Sequence, residues 1–309
     1  MNIAVTSPSF SKNKVLQERI YKCFPNAKLN LDGKRFSKGE LIEFIKYSDG
    51  VIIGLEQIDE EVLHYCSNLK IVAKYGVGLD NIDSNACEKH DVRIGWTGGV
   101  NRLSVAEEVI GFMLALLRNI YVTSNQLKHG VWNKSGGFDL SGKTVGIIGV
   151  GFIGKEVIRL LKPFGCKILV NDIIKQDDYY TQNALEHVSK ETLFKESDLI
   201  TIHTPLTVET RNMINDETIS LMKDTACIIN NARGGIVNQE ALKMALLNKR
   251  LAGAALDVYE NEPPEDYELL SIDNLICTPH IGGNSKESVE KMGMSAISHL
   301  EKFFCGDNA

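Results

Sequence analysis

A glycine-punctuated run from Lys143 to Asp172 constrains this chain more than any other stretch. Val145-Gly-Ile-Ile-Gly149 reads as an apolar strand, Gly149-Val-Gly151-Phe152-Ile153-Gly154 as a turn entering a helix, and Lys167–Asp172 as a second strand. In such a βαβ unit Gly149 permits the tight turn, Gly151 lets backbone approach a pyrophosphate, and Gly154 lets helix and strand pack closely. The phosphates are expected at the helix N-terminus, where unpaired N–H groups point outward. Asp172 ends the second strand, placed to accept hydrogen bonds from an adenosine ribose. A carboxylate there repels the extra phosphate of NADP, so NAD is the expected cofactor, with Lys175 close enough to soften the preference slightly.

The 309 residues suggest about two domains of ordinary size. A hydrophobic share of 43% with 24% charged residues reads as globular, and a net charge of −6 with both signs interspersed offers no nucleic-acid surface. The seven cysteines are scattered, without CxxC spacing or a histidine cluster. That pattern argues for reduced thiols in a cytoplasm, and for no metal. The chain opens directly on a strand, so no signal peptide is expected, and Val109–Leu117 is too short an apolar run to span a bilayer.

Before the glycine turn, Ile3–Thr6, Ala27–Leu31, Gly50–Ile53, Ile71–Lys74 and Val92–Ile94 read as strands, with helical patterns between them. Strand–helix alternation implies a parallel sheet covered on both faces. Lys74-Tyr75-Gly76-Val77-Gly78 follows the fourth strand and is a candidate substrate loop, since ligands collect beyond the carboxyl ends of parallel strands. Thr97-Gly-Gly-Val-Asn101 reads as a joint, Ser104–Val122 as one helix of about twenty residues, and Ser285–Phe304 as a helix returning to the first domain. The expected fold is α/β, with two doubly wound parallel-sheet domains. A nucleotide domain (99–283) is inserted into a substrate domain (1–98 and 284–309), with a cleft between them that closes about the glycine joints.

Several strand ends in the second domain carry polar residues: His203, Arg233, Asp257 and His280, with Glu262 just after one. Such residues gather where the cofactor binds. The chemistry that fits is hydride exchange between a nicotinamide and a carbonyl, leaving the protein to orient the substrate and manage one proton. Arg233 suits an α-carboxylate through its forked donors. His280 suits proton donation to the carbonyl oxygen, and Glu262 suits fixing the imidazole tautomer and favouring its protonated form. Asp257 suits either the nicotinamide carboxamide or a supporting role.

These motifs together resemble the NAD-dependent D-2-hydroxyacid dehydrogenase family along nearly the whole chain. The signatures are Gly149–Gly154 with Asp172, His203-Thr-Pro-Leu-Thr with Glu209-Thr-Arg211, Asn231-Ala-Arg-Gly-Gly, Asp257-Val-Tyr-Glu-Asn-Glu-Pro and Thr278-Pro-His-Ile-Gly. The resemblance implies a Rossmann NAD-binding domain inserted into a flavodoxin-like domain. It places the catalytic arginine, glutamate and histidine at Arg233, Glu262 and His280. Cofactor contacts fall on Val77, Gly149, Gly151, Phe152, Ile153, Gly154, Asp172, His203, Thr204, Pro205, Thr210, Ala232, Asp257, His280 and Gly283. Substrate contacts fall on Lys74, Tyr75, Gly76, Val77, Asn101, Arg233 and His280. It also implies D-stereochemistry and a homodimer joined through the nucleotide domain, the Ser104–Val122 helix matching the segment involved.

Lys74–Asp83 and Gly99-Val-Asn101 are most similar to the phosphoglycerate dehydrogenase branch. That branch carries arginine where Lys74 stands and another near Ile53-Gly54, and this chain has neither. Lysine meets phosphate as a point charge without a planar fork, so the substrate is either 3-phosphoglycerate or another small 2-hydroxy or 2-keto acid. Glu262 argues against a formate-type enzyme, which carries glutamine there. A non-catalytic, NADH-responsive regulator with the same motifs is the competing class, and such regulators carry long extensions that this chain lacks.

Overall fold

The computed structural model describes residues 1–306, in two compact units: Met1–Asn101 with the chain from Asn284 onward, and Arg102–Gly283. The division falls at Asn101–Arg102, slightly beyond the Gly98–Gly99 joint that the sequence suggests, and at Gly283–Asn284.

The first unit is built on strands β1 (Ile3–Val5), β2 (Lys28–Leu29), β3 (Gly50–Ile53), β4 (Ile71–Lys74) and β5 (Arg93–Gly95). They form one parallel sheet in the order β2-β1-β3-β4-β5, the flavodoxin-like arrangement. Every residue of β1, β3 and β4 is buried, as expected where helices cover both faces. Helix Lys286–Cys305 closes one face. Its Met292, Ala296, Ile297 and Leu300, at helical spacing, share a core with Ile3, Leu16 and Ile71.

The second unit carries β6 (Thr144–Ile148), β7 (Lys167–Asn171), β8 (Glu186–His187), β9 (Leu199–Ile202), β10 (Cys227–Asn230), β11 (Gly253–Leu256) and β12 (Leu275–Cys277). The order is β12-β11-β10-β9-β6-β7-β8, all parallel. Counted from β6, this is the doubly wound Rossmann order with one strand added at the edge, and its switch point lies between β6 and β9. The carboxyl ends of those two strands lead into Gly149 and His203.

One expected helix is two. Arg102–Leu117 ends, and Ile120–Lys128 begins after Asn119, whose φ of 50° is left-handed. A loop from later in the chain caps the break: Phe138 N donates to Leu117 O, Arg118 Nε to Gly136 O, and Asn119 Nδ2 to Ser135 O. Several short helices, Pro8–Lys12, Asp177–Gln182, Lys190–Glu196, Asp216–Leu221 and Tyr267–Leu270, are additions to the sequence reading, as is the two-residue edge strand β8.

Candidate active site

The glycine turn is held by contacts only glycine allows. Gly149 has φ 95°, and a Cβ there would lie 2.5 Å from His203 O. A Cβ on Gly154 would lie 2.1 Å from Gly149 O, so the helix Phe152–Leu161 packs directly on the strand end. Gly151 is the N-cap of that helix; no side chain caps it, and a Cβ on it would meet nothing within 4 Å. The first-turn N–H groups therefore open onto space where an anion gains the helix-terminus field.

Around this turn sit the other expected cofactor residues. Asp172 accepts from Val150 N (2.5 Å) and Ile174 N (2.8 Å), so both oxygens are oriented while retaining lone pairs for further donors. Phe152 and the neighbours Ile173 and Ile174 are exposed apolar surface, and Ile153 is half-buried. Thr204 Oγ1 and His203 Nδ1 are buried polar atoms without a partner among the described residues, as is Asn231 Oδ1. Buried polar atoms left unpaired are costly, and a ligand group is one way to pair them. Thr210 is committed differently: its hydroxyl donates to Pro205 O (2.8 Å) and accepts from Thr207 N (2.7 Å), closing the 205–210 turn. These residues fit a dinucleotide through an open helix N-terminus, an oriented ribose-side carboxylate and orphaned acceptors.

The ends of β10, β11 and β12 carry the residues that the sequence marks as candidates for the chemistry. Beyond β10, Asn230 braces the turn, its side chain accepting from Ala232 N (3.1 Å) and donating to Arg233 O (2.9 Å). Arg233 Nη1 donates to Ala232 O (2.7 Å), which sets the guanidinium plane. Gly234 lies against the β11 loop, where a Cβ would be 1.8 Å from Tyr259 O. That loop carries Glu262: Oε1 accepts from Tyr259 N (3.2 Å), and Oε2 lies 2.8 Å from His280 Nδ1. His280 and Glu262 are both partly exposed.

His280 itself has φ 55°, a left-handed conformation that costs a non-glycine residue on the order of 1 kcal/mol. Asp257, 1% exposed at the end of β11, holds that conformation. Its Oδ1 accepts from Thr278 Oγ1 (2.6 Å) and Ile281 N (2.8 Å), and Oδ2 from Gly282 N (2.8 Å). The carboxylate thus grips the loop on both sides of His280, up to the half-buried Gly283. Of the two roles that the sequence leaves open for Asp257, the protein bonds present are those of support.

Burial separates the two histidines. His203 is half-buried with Nδ1 shut off from solvent and Nε2 3.0 Å from Thr201 Oγ1, and burial pushes its pKa down to about 3, so it stays neutral at physiological pH. It offers a polar ring rather than a mobile proton.

Glu108 is a participant that the sequence reading misses. It sits mid-way along Arg102–Leu117, where a charged residue ordinarily reads as solvated face. Its Oε2 accepts from Asn231 Nδ2 (2.6 Å) and would lie 2.7 Å from a Cβ on Gly282. Burial and then the charge of Asp257 push its pKa up to about 7, opposed by donors from Asn231 and Thr278. One helical turn earlier, Ser104 Oγ donates to Gly282 O (2.6 Å).

In the first unit, Lys74 is buried, its ammonium donating to Gly54 O (2.6 Å) and Asn81 Oδ1 (2.6 Å). Tyr75 is core: its ring packs edge-on to Phe10, and its hydroxyl meets Ser9 Oγ at 3.3 Å. Gly76 has φ 142°, Val77 O accepts from Trp96 Nε1 (2.8 Å), and Asn101 Oδ1 is buried without a partner among the described residues. No group of three or more His, Cys, Asp or Glu able to hold a metal occurs among the described residues.

Residues 110–282 match the family described as D-isomer specific 2-hydroxyacid dehydrogenase, NAD binding domain. The chain is 39% identical to a hydroxypyruvate reductase of Thermotoga maritima, across 89% of this chain and 90% of that protein. It is 38% identical to a D-3-phosphoglycerate dehydrogenase of Methanocaldococcus jannaschii, covering 88% of this chain but only 53% of that protein. A crystal structure of D-lactate dehydrogenase from Aquifex aeolicus, complexed with NAD and lactic acid, superposes with a TM-score of 0.84 at 28% identity, over 99% of this chain and 96% of that one. The chain is therefore an NAD-dependent oxidoreductase that belongs to the D-isomer specific 2-hydroxyacid dehydrogenase family.

Proposed function

We propose that this protein interconverts a small, unphosphorylated 2-keto acid of the hydroxypyruvate class and its D-2-hydroxy acid, with His280 as the proton donor in reduction. The observation that carries the reading is the 2.8 Å contact between His280 Nδ1 and Glu262 Oε2. A carboxylate on Nδ1 fixes the tautomer and leaves Nε2 as the ring atom that exchanges a proton with the substrate oxygen. When bound, NADH supplies the hydride. Arg233 pairs with the substrate carboxylate, and its fixed guanidinium plane orients the neighbouring carbonyl. Asp257 keeps His280 in its left-handed pose. Asn101 and the 75–77 segment are proposed as further substrate contacts, and Val77, Phe152, Ile153, Asp172, Thr204, Ala232 and Gly283 as cofactor contacts.

Burial of Lys74, with two of its three ammonium donors spent on Gly54 O and Asn81 Oδ1, supports an unphosphorylated substrate. The test is NADH absorbance with a panel of 2-keto acids that includes hydroxypyruvate, glyoxylate and 3-phosphohydroxypyruvate, with D- and L-hydroxy acids in reverse. Oxidation of NADH by hydroxypyruvate or glyoxylate, with D-acids alone active in reverse, is expected. Preference for the phosphorylated acid would overturn the substrate class, and NADH binding without turnover of any acid would overturn the reaction.

Asp172→Ala is expected to weaken NADH binding by roughly tenfold, the worth of one or two hydrogen bonds, and to narrow the preference over NADPH. Fluorescence titration with both cofactors checks this, and unchanged selectivity would locate ribose recognition elsewhere.

We further infer a homodimer through the nucleotide unit. Helix Ile120–Lys128 has no buried residue, and Ile120, Leu127, Val131, Phe138 and the 76% exposed Trp132 leave apolar surface beside it. Trp132→Glu is expected to convert a dimer to monomer in light scattering at about micromolar concentration. A wild-type monomer under the same conditions contradicts this. No helix among the described residues is long and apolar enough to cross a membrane, and all seven cysteines are unpaired thiols, which supports a reducing, cytoplasmic location.

A further inference from the structure

We propose that Glu108 is a positioning residue for the reaction, tying the loop that carries Arg233 to the loop that carries His280. The inference rests on the reading that those two residues act on the substrate. Three observations support it, two hydrogen bonds and one close approach. Glu108 Oε2 accepts from Asn231 Nδ2 at 2.6 Å, two residues before Arg233. The same oxygen would lie 2.7 Å from a Cβ on Gly282, two residues after His280, where Asp257 Oδ2 would lie at 3.0 Å. Ser104, on the same face of the helix at i−4, donates to Gly282 O at 2.6 Å. One helix therefore bonds to both loops, and only glycine at 282 lets the two carboxyl groups close on it.

Two carboxyl groups meeting over one glycine raise the question of charge. Asp257 is already satisfied as a carboxylate by three donors. Asn231 and Thr278 contribute neutral donors to Glu108, and Asp257 contributes the opposing negative charge. Arg233 and His280 are the remaining charged or titratable groups on the gripped loops, and Arg102 and Glu107 those nearest along the helix. Burial and Asp257 favour a proton on Glu108, while Asn231 and Thr278 favour the carboxylate; when the proton leaves, repulsion from Asp257 across Gly282 outweighs the stronger bond from Asn231 and the closed arrangement loosens. A neutral amide at this position accepts from Asn231 and keeps a donor on the other arm without acquiring charge.

The experiment compares Glu108→Gln and Glu108→Ala with wild type in hydroxypyruvate reduction, across pH 6 to 9. Glu108→Ala is expected to lower kcat by roughly 30-fold through loosened geometry, with NADH affinity within about threefold. Glu108→Gln is expected to restore most of kcat at pH 6. Any pH dependence shared by wild type and Glu108→Gln cancels when the kcat/KM of the glutamine variant is divided by the wild-type value. That ratio is expected to rise about fivefold or more between pH 6 and 9, as wild-type Glu108 ionises and the glutamine does not. A flat ratio, or a glutamine variant as impaired as the alanine one, overturns the proposal; the ratio alone decides it if the alanine variant fails to fold. His280→Ala and Arg233→Ala, run alongside, separate the layers. If they are inactive and the ratio is flat, only the role of Glu108 falls. If they stay active, the reading beneath it falls.

Discussion

His280→Ala lowers kcat for 2-keto acid reduction by about a thousandfold, the usual worth of a positioned general acid, while NADH affinity stays within about threefold. The split follows from where the side chain sits. The imidazole is oriented by Glu262 at 2.8 Å, whereas the features that fit the dinucleotide lie at Gly149–Gly154, Asp172 and Thr204. His203 cannot take over the proton, because burial holds it neutral. Steady-state kinetics with NADH fluorescence titration reads both quantities, and parallel loss of turnover and NADH affinity would contradict the assignment.

Gly234→Ala is the second large effect, and it is structural in origin. Its Cβ would lie 1.8 Å from Tyr259 O, 2.1 Å from Tyr259 C and 2.7 Å from Glu260 N. All three are backbone atoms, so no rotamer change relieves the overlap and one loop must move. Overpacking against backbone costs about 3 kcal/mol or more, which lowers Tm by roughly 6 °C or more for a unit of this size. Because the displaced segments carry Arg233 and Glu262, kcat falls by about a hundredfold even in protein that remains folded. Thermal unfolding and kinetics on one preparation test this, and a variant with wild-type Tm and kcat would show that the loops are not packed as described.

The strands were readable because parallel strands buried on both faces are short continuous apolar runs, as in Gly50–Ile53 and Ile71–Lys74. The short helices were not, since one or two turns carry too few apolar positions to reveal a period. Their signal lies in caps such as Ser189 with Thr192 N, and Asn215 with Thr218 N. The break at Asn119 is a non-local event: the segment 135–138 satisfies the helix end, and nothing within 104–122 announces it. At the site, polar residues on strand ends marked Arg233, Asp257 and His280, and the structure brings Glu262 to His280. Glu108 escaped because an acid within a helix is ordinary in sequence, and only Asn231 and Gly282 make it otherwise. Lys74 shows the reverse: a cation at a strand end invites an anion, yet its ammonium is buried on Gly54 and Asn81.

The most direct measurement is a crystal structure with NADH and oxamate, an unreactive analogue of a 2-keto acid. The oxamate carboxylate is expected on the Arg233 guanidinium, with its carbonyl oxygen within about 3 Å of His280 Nε2. Oxamate bound away from Arg233, or a His280 ring turned from the carbonyl by more than about 5 Å with Glu262 released, would contradict it.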